Sequence, residues 1–321
     1  MNLDSVKGQN VLVAGGAGLL GMCLTRRLIS LEISVKSTYF SRKPPDPLKK
    51  YFQQYDFTRF EDCLAATKGQ DCVLMSVAQG SGVLGVQQSS TAAILPNFKI
   101  YAGLLEACAQ NEVEKIVWIS SSTVYQEASY PIREDQLDLN KQPFGLYQGI
   151  SWMYRYLEQL SQTYYKKHGL QIGIIRTANI YGSYDRFDDQ RSNVVPALIK
   201  RALSKENPFI VWGDGYAVRD FIYVEDLVDG VLRVLNGNCI ADPINISNGT
   251  PVSIKELVDI VLDVCGHHVS PQYDVTKPSA IPYRVLDNTK ADTLLGKFKK
   301  TSLHDGIQEV VEWCTSDLFR E

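Results

Sequence analysis

Several features that mark other classes of protein are missing from this sequence. No apolar run approaches the roughly 18 residues that a membrane-spanning helix requires, and the polar start MNLDSVKGQN has no apolar stretch of the kind found in signal peptides. The net charge of −3 leaves no excess of basic residues for binding nucleic acid or a membrane surface. The sequence therefore predicts a cytoplasmic protein with neither nucleic-acid nor membrane partners.

Cysteine and histidine are too scattered to suggest a metal site. The seven cysteines include no Cys-x-x-Cys pair, and the four histidines do not lie near paired cysteines at zinc-ligand spacing. We therefore expect reduced thiols that mostly fill the core, and no bound metal ion.

The sequence does contain a regular alternation of short apolar strands and helical stretches. This alternation runs from Val11 to Arg176, and it predicts a doubly wound parallel sheet with helices on both faces, the α/β architecture of a Rossmann fold. Beyond Arg176 the alternation is less regular, which predicts a smaller C-terminal α/β lobe.

A glycine-rich segment, VLVAGGAGLLG, occupies residues 11–21 and places glycines at positions 15, 18 and 21 between a strand and a helix. In a Rossmann fold such glycines allow a tight turn, let the backbone approach a pyrophosphate, and let the helix pack closely on the strand. The helix N-terminus then offers N–H groups to the phosphates. A plain strand-to-helix turn is the alternative. The predicted dinucleotide contacts in this segment are Gly15, Ala17, Gly18, Leu19, Leu20 and Gly21.

The residues after the second strand bear on the choice between NADP and NAD. A carboxylate at the end of that strand would bind the adenosine ribose of NAD, but this strand ends at Tyr39 and is followed by Arg42 and Lys43. Two cations without a carboxylate favour NADP, unless both are ordinary solvated loop charges. The other predicted cofactor contacts are Asp56 and Phe57 at the adenine, Ala78 and Tyr154.

These patterns predict two parts of the chain. The predicted NAD(P)-binding domain covers residues 1–175 with a return segment near 213–242, and the predicted substrate lobe covers residues 176–212 and 243–321.

Eight motifs occur in order along nearly the whole chain: GGAGLLG, ISSSTVY, RTANIYG, WGDGYAVRDFIYVED, INISNG, SIKEL, RVLDNTKADTLLG and SLHDGI. Together they resemble the extended short-chain dehydrogenases/reductases of the nucleotide-sugar epimerase/dehydratase family. Within that family, NIYGSYDRFDDQRSNVVPALIKRAL is most similar to the GDP-fucose synthases. The resemblance implies NAD(P)-dependent oxidation, reduction or epimerisation at C4 of a nucleotide-activated sugar, with a GDP-sugar favoured. It also implies a homodimer formed through Ala92–Gln110 and Ser151–His168.

The resemblance also implies roles for individual residues. Ser121, with its neighbour Ser122 in reserve, matches the catalytic Ser/Thr that bonds the sugar's 4-oxygen. Arg219 matches an arginine at the nucleotide diphosphate, although an ion pair with Asp220 or Asp226 would also explain it. The remaining implied substrate contacts are Asn179, Asn193, Val194 and Trp212.

One family motif, Tyr-x-x-x-Lys, is missing. An ungapped alignment places Ile150 and Tyr154 at the two positions, whereas a shifted alignment places Tyr147 and Ser151 there. No lysine occurs between residues 141 and 166, so the loss does not depend on the alignment. In GDP-fucose synthases a cysteine and a histidine form a further acid/base pair; here the matching residues are Thr123 and Asn193, and neither titrates.

Carboxylates and tyrosines are the remaining acid/base candidates, and two tyrosines lie near the missing motif. On a continuous helix, Tyr147, Ile150 and Tyr154 would share one face, and either phenol could then exchange a proton with the sugar O4. The alternative is that both are packing aromatics or ribose contacts. Two functions therefore stay open, an enzyme with an atypical site and an impaired family member that binds both ligands as a partner of an active homologue. A regulatory or scaffold protein is a third option without a basic patch to support it.

Overall fold

A seven-stranded parallel sheet lies at the centre of the computed structural model, which describes residues 6–78, 91–187, 192–277, 281–297 and 300–316. The strands in chain order are β1 (Asn10–Ala14), β2 (Ser34–Tyr39), β3 (Phe52–Gln54), β4 (Cys72–Met75), β5 (Lys115–Ser121), β6 (Gln171–Thr177), β7 (Asn179–Tyr181), β8 (Ile210–Trp212), β9 (Val218–Arg219), β10 (Phe221–Tyr223), β11 (Ile244–Ile246), β12 (Val252–Ser253), β13 (Gln272–Asp274) and β14 (Tyr283–Arg284). The large sheet has the order β11-β6-β5-β4-β1-β2-β3.

Helices cover both faces of this sheet. They are α1 (Leu19–Ser30), α2 (Phe60–Thr67), α3 (Ile94–Gln110), α4 (Gln148–His168), α5 (Val194–Leu203), α6 (Val224–Asn236), α7 (Ile254–Val264), α8 (Thr289–Leu295) and α9 (Leu303–Thr315). None of the helices in the described part of the chain is long and apolar enough to cross a membrane.

The apolar pattern of the central strands explains why both faces are covered. On β1, Val11 and Val13 join the core cluster that contains α1 and α6, whereas Leu12 and Ala14 join the cluster that contains α3 and α4. Successive side chains of a strand point to opposite faces, so an unbroken apolar run requires a layer on each side. The prediction of a doubly wound Rossmann fold is confirmed.

The remaining strands form short pairs outside the large sheet. β10 pairs with β7, β13 pairs with β8, and β9 lies between β12 and β14. The helix α6 lies inside the predicted return segment, and β11 lies just beyond it and adds the seventh strand to the large sheet. Arg27 of α1 bonds Glu225 at 2.8 Å and Asp229 at 2.6 Å, which ties α6 to the first helix of the chain.

Candidate functional site

The glycine-rich turn between β1 and α1 has the shape of a phosphate cradle. Gly15 has a φ of +84°, and its N–H donates to Thr38 Oγ1 at 2.9 Å. A Cβ at Gly21 would lie 2.2 Å from the carbonyl oxygen of Gly15, so only glycine lets α1 begin this close to β1. Gly18 caps α1 without a side-chain hydrogen bond, which leaves N–H groups of the first helical turn for a ligand. These features fit a dinucleotide pyrophosphate. The turn also contains Ala17 and Leu20, both buried, and the partly buried Leu19.

The end of β2 lies beside a cluster that contains aromatic side chains, and it is followed by Arg42, which is hydrogen-bonded to a backbone carbonyl. Tyr39 packs against the cluster of Ala17, Met22 and Phe52, and so does Tyr184, which comes from the segment after β7. Arg42 Nη1 donates to the carbonyl oxygen of Tyr184 at 2.8 Å, and Lys43 is exposed. Both predicted cations therefore follow the end of β2, where the adenosine ribose of a bound dinucleotide lies in a Rossmann fold.

Asp185 follows Tyr184 and is a buried carboxylate. Its Oδ1 accepts from the N–H of Arg186 at 2.7 Å, but its Oδ2 has no hydrogen-bond partner among the residues that the structure describes. Burial raises the pKa of Asp185 to about 6, although Arg42 and Arg186 oppose the shift. This carboxyl group therefore changes charge close to neutral pH.

Three other predicted cofactor residues lie around β3 and β4. Asp56 Oδ1 accepts from the N–H of Thr58 at 3.0 Å and from its Oγ1 at 2.7 Å, so one oxygen of Asp56 closes the turn before α2. Phe57 is 5% exposed and packs in the core. Ala78 is exposed and is the last described residue before position 91.

Ser121 ends β5 at the carboxyl edge of the large sheet, where the glycine-rich turn also lies. Its Oγ accepts from the N–H of Thr123 at 3.1 Å and from Thr123 Oγ1 at 2.9 Å. Since both contacts use Ser121 as acceptor, its own proton is left to donate to a ligand. The neighbouring Ser122 is buried.

Tyr154, one of the two predicted acid/base tyrosines, is packed among other aromatic rings. Its ring is stacked with Trp118 at a centroid distance of 6.5 Å and meets Tyr101 edge-on at 5.8 Å. Burial raises the pKa of Tyr154, and the hydroxyl of Tyr101 donates to the carbonyl oxygen of Ile119 at 3.1 Å. Arg155, the next residue, donates to the carbonyl oxygens of Val124 at 2.7 Å and Lys141 at 2.8 Å, so it holds backbone rather than replacing the missing lysine.

Tyr147 has different surroundings from Tyr154, because α4 begins only at Gln148. Tyr147 ends a short 3-10 turn that starts at Gly145, so the two tyrosines do not share a continuous helical face. Burial raises the pKa of Tyr147, and the charge of Arg219 opposes that shift. The phenol of Tyr147 and the guanidinium of Arg219 therefore interact electrostatically.

Arg219 lies beside a second arginine that the sequence reasoning did not single out. Arg219 of β9 and Arg284 of β14 are partners in a parallel ladder. Arg219 Nη1 donates to the carbonyl oxygen of Val218 at 2.8 Å, and Arg284 Nη2 donates to that of Tyr125 at 3.2 Å. Within the described residues neither guanidinium has a carboxylate partner. Burial and the charge of Arg219 lower the pKa of Arg284 to about 10.

Arg284 is buried and Arg219 is half-buried, and two guanidiniums placed together away from water without a counter-ion are an expensive arrangement unless an anion binds them. The predicted ion pair of Arg219 with Asp220 is not formed, because the carboxylate of Asp220 accepts from backbone N–H groups instead. One feature of the sequence could have pointed to Arg284: it is the single charged residue in the otherwise uncharged segment IPYRVL.

Of the other implied substrate residues, Asn179 contacts the residue that follows Arg219. Asn179 Nδ2 donates to the carbonyl oxygen of Asp220 at 3.0 Å, which fixes the amide and leaves its Oδ1 for a ligand. Trp212 is 43% exposed at the end of β8, with the Lys277 ammonium 5.8 Å from its ring centroid. Asn193 is exposed and caps α5, and Val194 is the first residue of that helix. In the described residues no group of histidine, cysteine, aspartate and glutamate side chains could hold a metal ion.

Comparison with known proteins agrees with this geometry. Residues 11–246 match the NAD dependent epimerase/dehydratase family. The chain belongs to this family. It is 29% identical over 326 residues to the GDP-L-fucose synthase of Sinorhizobium fredii, covering 99% of both chains. It is 28% identical over 322 residues to the probable GDP-L-fucose synthase 1 of Oryza sativa subsp. japonica, covering 98% of this chain and 94% of the relative.

A solved structure extends the comparison to the fold. An epimerase from Methanothermobacter thermautotrophicus superposes with a TM-score of 0.87 at 21% identity, covering 99% of this chain and 95% of the other. The family resemblance inferred from the eight motifs is therefore confirmed, and the chain is a member of a family of nucleotide-sugar epimerases and reductases that bind NAD(P).

Proposed function

We propose that this protein binds NAD(P) and a nucleotide-activated sugar, with a GDP-sugar favoured, and changes the oxidation state or configuration of the sugar at C4. The observation that carries the proposal is the pair of guanidiniums of buried Arg284 and half-buried Arg219, which has no carboxylate partner among the described residues. A diphosphate supplies the negative charge that this pair lacks, and a guanidinium fork suits phosphate oxygens. The GDP preference is supported by the relatives, which are GDP-L-fucose synthases.

The glycine-rich turn would hold the cofactor. The first turn of α1, which follows Gly18, presents N–H groups to a pyrophosphate, and Gly21 lets α1 begin close to β1. The bound cofactor supplies or accepts a hydride at the sugar carbon. Arg42 and Lys43 support NADP over NAD because they follow the end of β2 where a carboxylate would favour NAD.

Ser121 and Tyr147 would handle the sugar's 4-oxygen. Ser121 has a free hydroxyl proton and donates a hydrogen bond to that oxygen. Tyr147 keeps its proton at neutral pH because burial raises its pKa. A protonated phenol is an acid rather than a base, so this arrangement supports reduction of a 4-keto sugar, with Tyr147 donating the proton to O4, better than oxidation of a 4-hydroxyl.

One assay tests the proposal. The purified protein is incubated with NADPH or NADH and a panel of GDP-, UDP-, dTDP- and CDP-sugars, and the absorbance of the reduced nicotinamide is followed together with solvent deuterium uptake. We expect turnover with a GDP-linked 4-keto sugar. Tyr147→Phe should lower kcat about 100-fold or more, whereas Tyr154→Phe is the matched control because that ring packs against Trp118 and Tyr101. Full activity of both variants would exclude a tyrosine as the acid.

A second function is favoured by one observation, the packing of Tyr154 between Trp118 and Tyr101 at the position of the family lysine. No cation replaces that lysine between residues 141 and 166 except Arg155, which is bonded to backbone carbonyls. The protein would then bind both ligands as a partner of an active homologue. Binding of NADPH and GDP without absorbance change or deuterium uptake over the whole panel would select this function.

We also propose a cytoplasmic homodimer. The seven cysteines are free thiols, as expected in a reducing compartment. On α3 and α4, Leu95 is 61% exposed and Tyr156 is 55% exposed, and Tyr156 contacts Phe98 at a ring distance of 5.8 Å. A second copy of the same two helices would cover these side chains. Analytical ultracentrifugation should give twice the chain mass, and Tyr156→Glu should shift the protein towards monomer; a wild-type monomer would refute the homodimer.

A further inference from the structure

We infer that Asp220 is a positioning residue that holds Arg219 and Arg284 side by side as a clamp for the diphosphate of the nucleotide sugar. The inference rests on the proposed function, because it assigns a diphosphate to the two arginines. Asp220 itself binds no ligand in this arrangement. It acts through the backbone of β9 and β14, the strands that carry the two guanidiniums.

Asp220 is the centre of a set of hydrogen bonds between distant segments. It has no exposed surface, and its carboxylate accepts from the N–H of Gly249 at 3.1 and 3.2 Å and from the N–H of Leu286 at 3.2 Å. Its carbonyl oxygen accepts from the backbone N–H of Asn179 at 3.1 Å and from Asn179 Nδ2 at 3.0 Å. One residue therefore connects β7, the segment after β11, and the segment after β14.

These contacts hold the strands on which the arginines lie. Arg219 directly precedes Asp220 in the chain, and Arg284 lies two residues before Leu286. The ladder between β9 and β14 has only two residue pairs, Val218 with Tyr283 and Arg219 with Arg284. So short a ladder is weak by itself. The bond from Leu286 to the Asp220 carboxylate extends it by a contact that does not depend on strand pairing.

Electrostatics explains why the extra contact matters. The guanidiniums of buried Arg284 and half-buried Arg219 repel each other, and the pKa of Arg284 is lowered by burial and by Arg219. The carboxylate of Asp220 does not neutralise them by a direct ion pair, since its contacts are backbone N–H groups. Its role is to keep the strands together against the repulsion, so that both guanidiniums are already in position when a diphosphate arrives.

The test compares two buried aspartates. Asp220→Asn keeps the shape of the side chain but weakens its bonds to the backbone N–H groups. Asp226→Asn is the matched control, because buried Asp226 accepts from the N–H of Thr301 at 2.6 Å and from its Oγ1 at 2.9 Å, away from the arginine strands. Calorimetry measures the Kd for GDP, inorganic pyrophosphate and NADPH, and thermal unfolding checks that each variant is folded.

We expect Asp220→Asn to raise the Kd for GDP and pyrophosphate about tenfold and to leave the Kd for NADPH unchanged. Asp226→Asn should change none of the three. If Asp220→Asn does not fold, Ser247→Ala is the milder variant, because the Ser247 hydroxyl favours the ionised Asp220 carboxylate and lowers its pKa, and it should raise the Kd for GDP by a smaller factor.

Two results would overturn the inference while leaving the proposed function intact. One is an Asp220→Asn or a folded Ser247→Ala protein that binds GDP as tightly as the wild type. The other is an equal loss of GDP affinity in Asp226→Asn, which would show a general effect of weakening the lobe. A wild-type protein that binds NADPH but no nucleoside diphosphate would overturn both the inference and the proposed substrate.

Discussion

Replacing Arg284 with methionine should make the protein more stable while weakening its binding of GDP. Methionine keeps an unbranched apolar stem of similar length but removes the guanidinium. Arg284 is 3% exposed and has no carboxylate partner among the described residues. The variant therefore removes a buried charge that the fold does not neutralise.

The magnitude follows from the pKa of Arg284, which falls from 12.5 to about 10. A depressed pKa means that the folded protein disfavours the charged form, and the full cost is present at every pH below about 10. At 1.36 kcal/mol per pKa unit this cost is about 3 kcal/mol. The hydrogen bond from Arg284 Nη2 to Tyr125 is lost in the variant, and it is worth about 1.5 kcal/mol. Arg284→Met should therefore raise the free energy of unfolding by about 1 to 2 kcal/mol.

Urea unfolding at pH 7.5 measures this difference, and calorimetry measures the accompanying loss of GDP affinity. Arg176→Met is the control, because Arg176 is also buried but bonds Glu158 at 2.7 Å and its pKa is raised. Removing Arg176 leaves a buried carboxylate unpaired and should cost about 3 to 5 kcal/mol. An Arg284→Met protein that is less stable than the wild type, or that binds GDP normally, would refute the reasoning.

Three further predictions follow from other parts of the site. Gly21→Ala should raise the Kd for NADPH at least about 100-fold, since its Cβ would lie 2.2 Å from the Gly15 carbonyl oxygen. Gly145→Ala, whose Cβ would meet nothing within 4 Å, should have no such effect, and equal Kd values for the two variants would contradict the cradle. Asp185 has a folded-state pKa raised to about 6, so ionising it destabilises the fold; relative to Asp185→Asn, the wild type should lose up to about 3 kcal/mol of unfolding free energy as the pH rises from about 4 to above 6. A difference that does not change with pH would show that Asp185 keeps an ordinary pKa. Arg42→Ala should raise the Kd for NADPH about tenfold and leave that for NADH unchanged; equal losses would mean that Arg42 does not select the cofactor.

Local patterns in the sequence predicted the first part of the fold well. The second strand ends at Tyr39 as predicted, and a strand and a helix flank the glycine-rich turn as predicted, because apolar periodicity and the glycines determine both within a short stretch. The choice between Tyr147 and Tyr154 could not be made in this way. A helix start at Gln148 instead of Tyr147 gives the two phenols different neighbours, and glycines at positions 145 and 149 obscure that start in the sequence.

The arginine pair and its support depend on contacts between distant segments. Arg219 could be inferred from a motif, but its partnership with Arg284 comes from a ladder of two residue pairs that leaves no periodic signal. Asp220 could only be seen as a possible ion-pair partner of Arg219. The structure shows that its carboxylate accepts from the backbone of Gly249 and Leu286, and every sequence contains such N–H groups at nearly every position.

The order of the strands has a consequence for how this chain folds during synthesis. β6 ends at Thr177, but its outer neighbour in the sheet, β11, begins at Ile244, and α6 lies between them in the sequence. A nascent chain that has emerged only as far as β6 therefore exposes an unpaired strand edge and the apolar face that α6 later covers. The helical layer on this face of the N-terminal strands is therefore completed only after the C-terminal half of the chain has been made. Fragments cut near Thr177 should consequently aggregate rather than fold as an independent cofactor-binding domain.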